Sequence, residues 1–131
     1  MKISIIGANG MLSVALTKYY NVKKGVTVDV YGLDVPKGYE CDNFYQVNLL
    51  KDKLDYDKLV ASDVIVYASG AGVQAALQTD SSLMYALNVN APIEMTLQLK
   101  KYNYKGIYVS FGSYTVSYTH LRAHETCADL V

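Results

Sequence analysis

Hydrophobic and polar positions along the chain follow two alternating patterns. Short runs rich in β-branched residues, typical of strands buried on both faces, occupy residues 3–6, 26–33, 44–47, 64–67 and 107–109. Between them, residues 11–20, residues 51–60 and a longer segment around residues 83–97 are expected to form helices. Strands that alternate with crossover helices require a parallel sheet with right-handed connections. The pattern therefore predicts a doubly wound, Rossmann-like α/β sheet.

Helical spacing also predicts which side chains of the helices face the core. In the first helix the expected core-facing residues are Leu12, Ala15, Leu16 and Tyr19. Asn21 and Gly25 are expected to end that helix. In the longer segment the residues that share one face are Leu83, Leu87, Asn90, Ile93 and Leu97. Pro92 lies within this segment and is expected to kink the helix or to restart it.

Composition narrows the class of protein. The chain has 131 residues, of which 51% are hydrophobic, and this suits one domain with an ordinary core. Twelve basic residues balance twelve acidic ones without long runs of like charge, so neither a nucleic-acid partner nor a membrane partner is expected. Two cysteines, Cys41 and Cys127, do not suggest a disulfide framework. The apolar start of the chain is too short for a signal segment, and a cytoplasmic location is expected.

The first predicted strand runs into a turn that contains two glycines, "GANGMLS" at residues 7–13. Gly7 can take the tight turn off the strand, and Gly10 lets the backbone approach a pyrophosphate beside the start of the next helix. Asp34 ends the second predicted strand, where a carboxylate can hold an adenosine ribose and would repel a 2′-phosphate. These residues predict NAD rather than NADP as the cofactor. The alternative is that the glycines only make a turn and that Asp34 is a solvated loop residue.

Together with five later segments, this turn resembles the extended short-chain dehydrogenase/reductase family, the NAD-dependent epimerases and dehydratases of nucleotide-sugar metabolism. The resemblance covers residues 1 to about 115: "VYGLD" resembles the family's second strand, "VNLL" its third, "DVIVYASGAG" its fourth, "NVNAP" a helix motif and "GIYVSFGSY" the strand that delivers a catalytic hydroxyl. The family's third turn glycine is Ser13 here, and serine is small enough for the helix packing that this position serves.

The resemblance implies a set of site residues. The implied cofactor-binding residues are Gly7, Asn9, Gly10, Met11, Asp34, Asn48, Leu49, Ala68, Ser69, Gly70 and Asn88. The implied catalytic hydroxyl belongs to Ser113 or Ser110, since an ungapped match places Phe111 at that position.

The family also uses a downstream tyrosine and a lysine four residues later, which move the substrate proton during hydride transfer. That spacing occurs here as Tyr19 with Lys23 and as Tyr20 with Lys24. Both pairs lie at the end of the first predicted helix, far from the carboxyl ends of the strands where a ligand is expected. We therefore interpret them as surface residues, and no catalytic pair is predicted.

Residues 116–126, "VSYTHLRAHET", resemble the translation of a transposase-type sequencing-library adapter at all eleven positions. We therefore expect a partial Rossmann-like domain over residues 1–115 and a non-native tail over residues 116–131. His120 and His124 are one helical turn apart, with Glu125 and Cys127 following, and this spacing suits zinc. Because these residues lie in the expected tail, no metal site is predicted.

Two functions remain open at this point. The first is the N-terminal cofactor-binding part of an NAD-dependent nucleotide-sugar epimerase, dehydratase or reductase, inactive as it stands and a possible homodimer when full length. The second is a dinucleotide-binding module without catalysis that acts in regulation or redox sensing. The Rossmann-like architecture hosts both kinds of protein, so fold alone does not decide between them.

Overall fold

The computed structural model describes residues 1–69 and 89–111. In chain order the elements are β1 (Lys2–Ile6), α1 (Met11–Asn21), β2 (Thr27–Gly32), β3 (Asn43–Gln46), α2 (Tyr56–Leu59), β4 (Val64–Tyr67), α3 (Ala91–Lys101) and β5 (Ile107–Ser110). Each of the five strands overlaps one of the predicted β-branched runs.

The strands form a five-stranded sheet with the order β3-β2-β1-β4-β5, and every neighbouring pair is parallel. In the centre of the sheet, Ile5 of β1 pairs with Val30 of β2 and with Val66 of β4. Successive strands are added outward from β1 first on one side and then on the other. This arrangement confirms the predicted doubly wound, Rossmann-like α/β fold and opens a crevice between the carboxyl ends of β1 and β4.

Hydrophobic side chains cover both faces of the sheet. One face is centred on Ile5, Val28 and Val30, with Leu16 and Tyr20 of α1 packed against it. The opposite face contains a second cluster, formed by Ile6, Tyr31, Val47, Leu59, Ile65, Tyr67, Met95 and Leu99. Each fully buried aliphatic side chain stabilises the fold by about 1.5–3 kcal/mol relative to exposure. The two-sided burial explains why the strands are continuous apolar runs rather than alternating ones.

The buried face of α1 differs from the predicted one. Ser13 and Thr17 are the fully buried residues of this helix, whereas Leu12 and Tyr19 are exposed. The physical reason is close packing, since a Cβ added at Gly7 would lie 3.0 Å from the Ser13 side-chain oxygen. Only small side chains fit where the helix comes this near to the strand. The prediction that Leu12, Ala15 and Tyr19 face the core is therefore wrong.

The second helix is much shorter than predicted. Residues 51–55 are not helical, because Asn48 and Asp52 make local hydrogen bonds. The backbone N–H of Asn48 donates to Asp52 Oδ2 at 2.8 Å, and the backbone N–H of Leu50 donates to Asn48 Oδ1 at 3.0 Å. Such side-chain bonds compete with helix formation. The helix begins only after Asp55, whose side chain accepts from Lys58 N at 3.2 Å as an N-cap.

The third helix begins at Ala91 with Pro92 in its first turn, a position that suits proline. The segment before residue 89, on which the expected kink or restart depends, lies outside the described residues. The buried residues of this helix are Pro92, Met95 and Leu99, while Ile93 is exposed. Leu97 is exposed as well, so the predicted core-facing stripe is wrong for the part of it that is described. Both stripes contain apolar residues, and the sequence does not say which one meets the sheet. Leu83 and Leu87 lie outside the described residues.

Across residues 1–69 and 89–111, no helix is both long enough and apolar enough to cross a membrane.

Candidate functional site

A cleft of about 380 Å³ lies at the carboxyl ends of the central strands, and this volume falls in the usual range for small-ligand sites. It lies beside the ends of β1 and β4, where the order of the strands reverses, and this is the position at which doubly wound sheets bind ligands. The described residues that line it are Gly7, Ala8, Asn9, Gly10, Gly32, Leu33, Asp34, Val47, Asn48, Leu49, Leu50, Ala68 and Ser69. Eight predicted cofactor-binding residues are among them.

The turn after β1 requires glycine at Gly7. Its φ of +120° is one that side-chain-bearing residues rarely adopt, and a Cβ there would lie 3.0 Å from the backbone nitrogen of Ser69. The Gly7 amide donates to the Tyr31 carbonyl at 2.6 Å, which ties the turn to the end of β2. Gly7 is thus required by the fold itself.

Unlike Gly7, Gly10 is not required by the backbone conformation or by packing. Its φ of −72° suits any residue, and a Cβ there would meet its nearest neighbour, Ser13 Oγ, at an ordinary 3.8 Å. The fold therefore tolerates a side chain at this position. The absence of one leaves the backbone bare on the wall of the cleft, as the close approach of a pyrophosphate needs.

The start of α1 is suited to an anion. Gly10 is its N-cap and supplies no side-chain cap, and the first turn, which is fully described, contains no acidic residue. Val14 N makes the first intrahelical bond, to Gly10 O at 2.9 Å. The N–H groups before it have no helical carbonyl to donate to, and the helix dipole adds positive potential there. Met11 lies here with an exposed side chain, so its predicted contribution is that of its backbone.

Asp34 lies at the cleft just beyond the end of β2. Its side chain is exposed and makes no hydrogen bond or ion pair to another residue of the described ranges. It is also the one charged side chain among the described residues that line the cleft. The carboxylate is therefore available to accept hydrogen bonds from ligand hydroxyl groups, and it would repel a phosphate placed beside it.

One wall of the cleft is formed by Leu33, which follows β2, and by Asn48 and Leu50, which follow β3. Asn48 Oδ1 accepts from Leu50 N, whereas its side-chain NH₂ has no partner among the described residues. Leu33 and Leu50 line the cleft and remain about half exposed, at 56% and 49%. Two exposed apolar side chains beside a free amide donor suit a flat heteroaromatic ring with an acceptor at its edge. Leu49, the other predicted residue of this segment, also lines the cleft.

Two contacts of this region were not predicted from the sequence. A Cβ at Gly32 would lie 2.5 Å from the Ala8 Cβ, so the end of β2 packs directly against the glycine turn. The Tyr39 hydroxyl donates to the Ala8 carbonyl. The glycine in "VYGLD" was the available signal for the first contact, while the second joins residues 31 positions apart and leaves no local pattern.

The opposite end of the cleft is formed by the residues that follow β4, and β5 lies beside that strand in the sheet. Ala68 and Ser69 follow β4, and the Ala68 amide donates to the Ile6 carbonyl at 2.9 Å. Ser110 ends β5 directly beside Tyr67 in the sheet and is partly buried, but it does not line the cleft. The predicted residues Gly70, Asn88 and Ser113 lie outside the described residues.

Two phenols lie near these serines, that of Tyr67, which is buried, and that of Tyr108, which is partly buried. Burial raises the pKa of Tyr67 and of Tyr108 well above the usual value of 10, although hydrogen bonds with Ser69 and Ser110 respectively act against the shift. The Tyr108 hydroxyl donates to the Pro92 carbonyl at 3.1 Å. Both phenols therefore keep their protons at neutral pH, and neither is a ready base.

The two tyrosine–lysine pairs of α1 stay apart from the cleft. Tyr19 is exposed, and the Lys23 ammonium lies 4.4 Å from the centroid of its ring, a cation–π contact at the surface. None of Tyr19, Lys23, Tyr20 and Lys24 lines the cleft. Among the described residues no group of three or more side chains could hold a metal ion, and the histidines of the tail lie outside those residues.

Comparison with known proteins gives structural relatives without close sequence relatives. No protein-family model and no curated protein matches the chain. Solved structures similar to it include an NAD-dependent epimerase/dehydratase from Bacillus halodurans, with a TM-score of 0.65, 19% identity and coverage of 82% of this chain and 49% of that one. A short chain dehydrogenase family protein from Francisella tularensis has a TM-score of 0.62, 17% identity and coverage of 86% and 50%.

A UDP-glucose 4-epimerase is similar as well, with a TM-score of 0.60, 16% identity and coverage of 82% of this chain and 35% of that one. At these identities the comparisons show the fold, and they agree with the doubly wound sheet described above. The chain spans about half the length of the first two structures and about a third of the epimerase.

Proposed function

We propose that this chain binds NAD in the cleft and is the N-terminal, cofactor-binding part of an NAD-dependent epimerase, dehydratase or reductase of nucleotide sugars. The observation that carries the proposal is the convergence of three features in one crevice: a glycine turn, an uncapped helix start and a carboxylate at the end of the next strand. The names of the structural relatives, which include an NAD-dependent epimerase/dehydratase, support the choice of cofactor.

Each part of the cleft has chemistry for one part of the dinucleotide. The bare backbone at Gly10 and the start of α1 would hold the pyrophosphate, and Asp34 would accept hydrogen bonds from the adenosine ribose. The side chains of Leu33 and Leu50 and the side-chain amide of Asn48 would contact the adenine. When bound, NAD would supply hydride transfer at the far end of the cleft.

The proposed role of the chain is binding without turnover. Ser69, which lines the cleft, could orient a hydroxyl or an amide there, but burial raises the pKa of the nearest phenols, Tyr67 and Tyr108, further above neutral pH and disfavours both as bases. The same observation favours the second candidate, a dinucleotide-binding module that acts in regulation or redox sensing. A reading frame that extends past residue 113 with a tyrosine and a lysine four residues later would favour the first candidate.

Calorimetric titration with NADH and with NADPH tests the proposal. We expect NADH to bind at least about tenfold more tightly, a difference of about 1.4 kcal/mol, because Asp34 repels the 2′-phosphate. Asp34→Ala should remove most of this preference. Asp57→Ala is the matched control, since it deletes an exposed carboxylate on α2 that does not line the cleft. Equal binding of both cofactors by the unmodified chain would refute the role of Asp34, and no binding of either would refute the proposed function.

A further inference from the structure

We propose that Asn9 is a positioning residue that sets the choice between NAD and NADP, because it fastens the loop that carries Asp34. This inference rests on the proposed function, since it concerns the selectivity of the same cleft. Asn9 was predicted to bind the cofactor itself. Its side chain is instead directed at residues 34–37, and its effect on the ligand would pass through Asp34.

Within residues 1–69 and 89–111, the Asn9 side chain makes three hydrogen bonds, and all of them go to the backbone of this loop. Nδ2 donates to the carbonyl of Val35 at 3.0 Å and to that of Asp34 at 3.4 Å, and Oδ1 accepts from the amide of Lys37 at 3.0 Å. The side-chain amide thus uses both its donor nitrogen and its acceptor oxygen on the loop. One side chain holds three loop residues against the glycine turn.

A second, independent tie connects the same two segments. The Tyr39 hydroxyl donates to the Ala8 carbonyl, and burial raises the pKa of Tyr39, which keeps it a donor. Beneath both ties, Gly32 packs against Ala8 so closely that no side chain fits between them. The loop after β2 is therefore held in place by its contacts with Ala8 and Asn9.

Fixing the loop has opposite consequences for the two cofactors. A fixed Asp34 accepts the ribose hydroxyls of NAD without the cost of ordering residues 34–37 at the moment of binding. The same restraint keeps the carboxylate from moving away from a 2′-phosphate, so NADP meets the full repulsion. If the loop were released, NAD binding would have to order residues 34–37, and Asp34 could move away from the 2′-phosphate of NADP. Both changes would reduce the preference for NAD over NADP.

The test compares Asn9→Ala and Tyr39→Phe with the unmodified chain by titration with NADH and NADPH. We expect Asn9→Ala to reduce the preference for NADH about tenfold and Tyr39→Phe about twofold, because the first variant removes three hydrogen bonds and the second removes one. Gln98→Ala is the matched control, because it deletes an amide that bonds to Glu94 on α3, away from this cleft. It should leave the preference unchanged.

A second readout does not depend on any cofactor. Hydrogen exchange of the Lys37 amide, which donates to Asn9 Oδ1, should accelerate at least about tenfold in Asn9→Ala relative to the unmodified chain. Exchange of the Leu59 amide, which donates to the carbonyl of Asp55 at the start of α2, should not change. Unaltered exchange at Lys37 would show that the side chain does not hold the loop and would overturn the inference.

The remaining outcomes separate the inference from the function on which it rests. If the unmodified chain prefers NADH and Asn9→Ala keeps that preference, Asn9 has no role in selectivity and the inference alone is overturned. Equal weakening of NADH and NADPH binding in Asn9→Ala would mean a general structural role and would also overturn it. Failure of the unmodified chain to bind either cofactor would refute the proposed function, and the inference with it.

Discussion

The two ends of the cleft differ in how fully their own residues define them. At the β2–β3 end, Asn9, Tyr39 and Gly32 fix the backbone, and Asp34 presents a carboxylate with no described partner. At the β4–β5 end, Ser69 is the described polar side chain that lines the cleft, while Ser110, Tyr67 and Tyr108 lie beside it in the two strands without lining the cleft. Among the described residues, the β2–β3 end thus offers a fixed carboxylate and a free amide donor, as the proposed adenosine contacts need, and the β4–β5 end offers one serine hydroxyl at the cleft.

The largest expected effect is the absence of turnover at the β4–β5 end. A positioned acid or base is worth on the order of 10²–10⁴ in rate, and misplaced substrate costs a further 10²-fold or so. With NAD and a panel of nucleotide sugars, we expect neither reduced cofactor by absorbance nor new products by chromatography. Turnover that persists in the Tyr67→Phe and Tyr108→Phe variants would show that this end holds a base that we have not identified.

The next effect separates the two turn glycines. Gly7→Ala should destabilise the fold by about 3 kcal/mol, since it combines an unfavourable positive φ with contacts of 3.0 Å to the backbone of Ser69. Urea denaturation measures the free energy of unfolding. Gly10→Ala is the matched control and should leave stability within about 0.5 kcal/mol.

Binding should give the complementary result for this pair. Gly10→Ala is expected to weaken NADH binding about tenfold or more, because its new methyl group occupies the approach to the pyrophosphate. Loss of stability in Gly10→Ala, or unchanged binding by it, would mean that the two glycines do not divide fold and function between them.

An alkaline pH series examines the phenols whose pKa is raised most, which are Tyr31 of β2 and, at the β4–β5 end, Tyr67 and Tyr108. A phenol whose pKa is higher in the folded chain than its unfolded value of about 10 contributes stability that is fully present below pH 10 and is lost as the pH rises toward the folded pKa. The free energy of unfolding should therefore be level from pH 7 to 9 and fall above pH 10 by up to about 1.4 kcal/mol per pH unit for each such tyrosine. Tyr108→Phe should reduce that slope, and a slope equal to that of the unmodified chain would contradict the assignment.

The smallest expected effect concerns the helix that both ends share. Ser13 Oγ is fully buried and has no hydrogen-bond partner among the described residues. Ser13→Ala should raise the free energy of unfolding slightly, by up to about 1 kcal/mol, because it removes an unsatisfied buried hydroxyl. Thermal unfolding of this variant beside Thr17→Val, which removes the other unpaired hydroxyl of α1, provides the measurement. A clear loss of stability in Ser13→Ala would indicate a partner for its hydroxyl.

Features that depend on local sequence pattern were predicted correctly, and features that depend on contacts between residues far apart in the sequence were not. The strands were placed correctly because each is a short β-branched run, and Gly7, Gly10 and Asp34 fall at one cleft because parallel strands bring their carboxyl ends together. The buried face of α1 was missed because the contact at Gly7 selects small polar residues there.

The ties of the β2 loop could not be predicted for a related reason. The bonds from Asn9 and Tyr39 join segments 25 or more positions apart and follow no spacing rule. The short α2 reflects the bonds between Asn48 and Asp52, which favour a turn over a helix in a segment of helix-compatible composition.

The most direct test of the central claim is the position at which NADH perturbs the backbone amides in a nuclear magnetic resonance titration. The account predicts shifts in the glycine turn at Gly7 and Met11 and at the β2–β3 end, including Asp34 and Leu50, as the cofactor fills this cleft. A second cavity of about 430 Å³ between α2 and α3, lined by residues that include Tyr56 and Glu94, provides the contrast. Shifts confined to that cavity, or no shifts at millimolar NADH, would contradict the account.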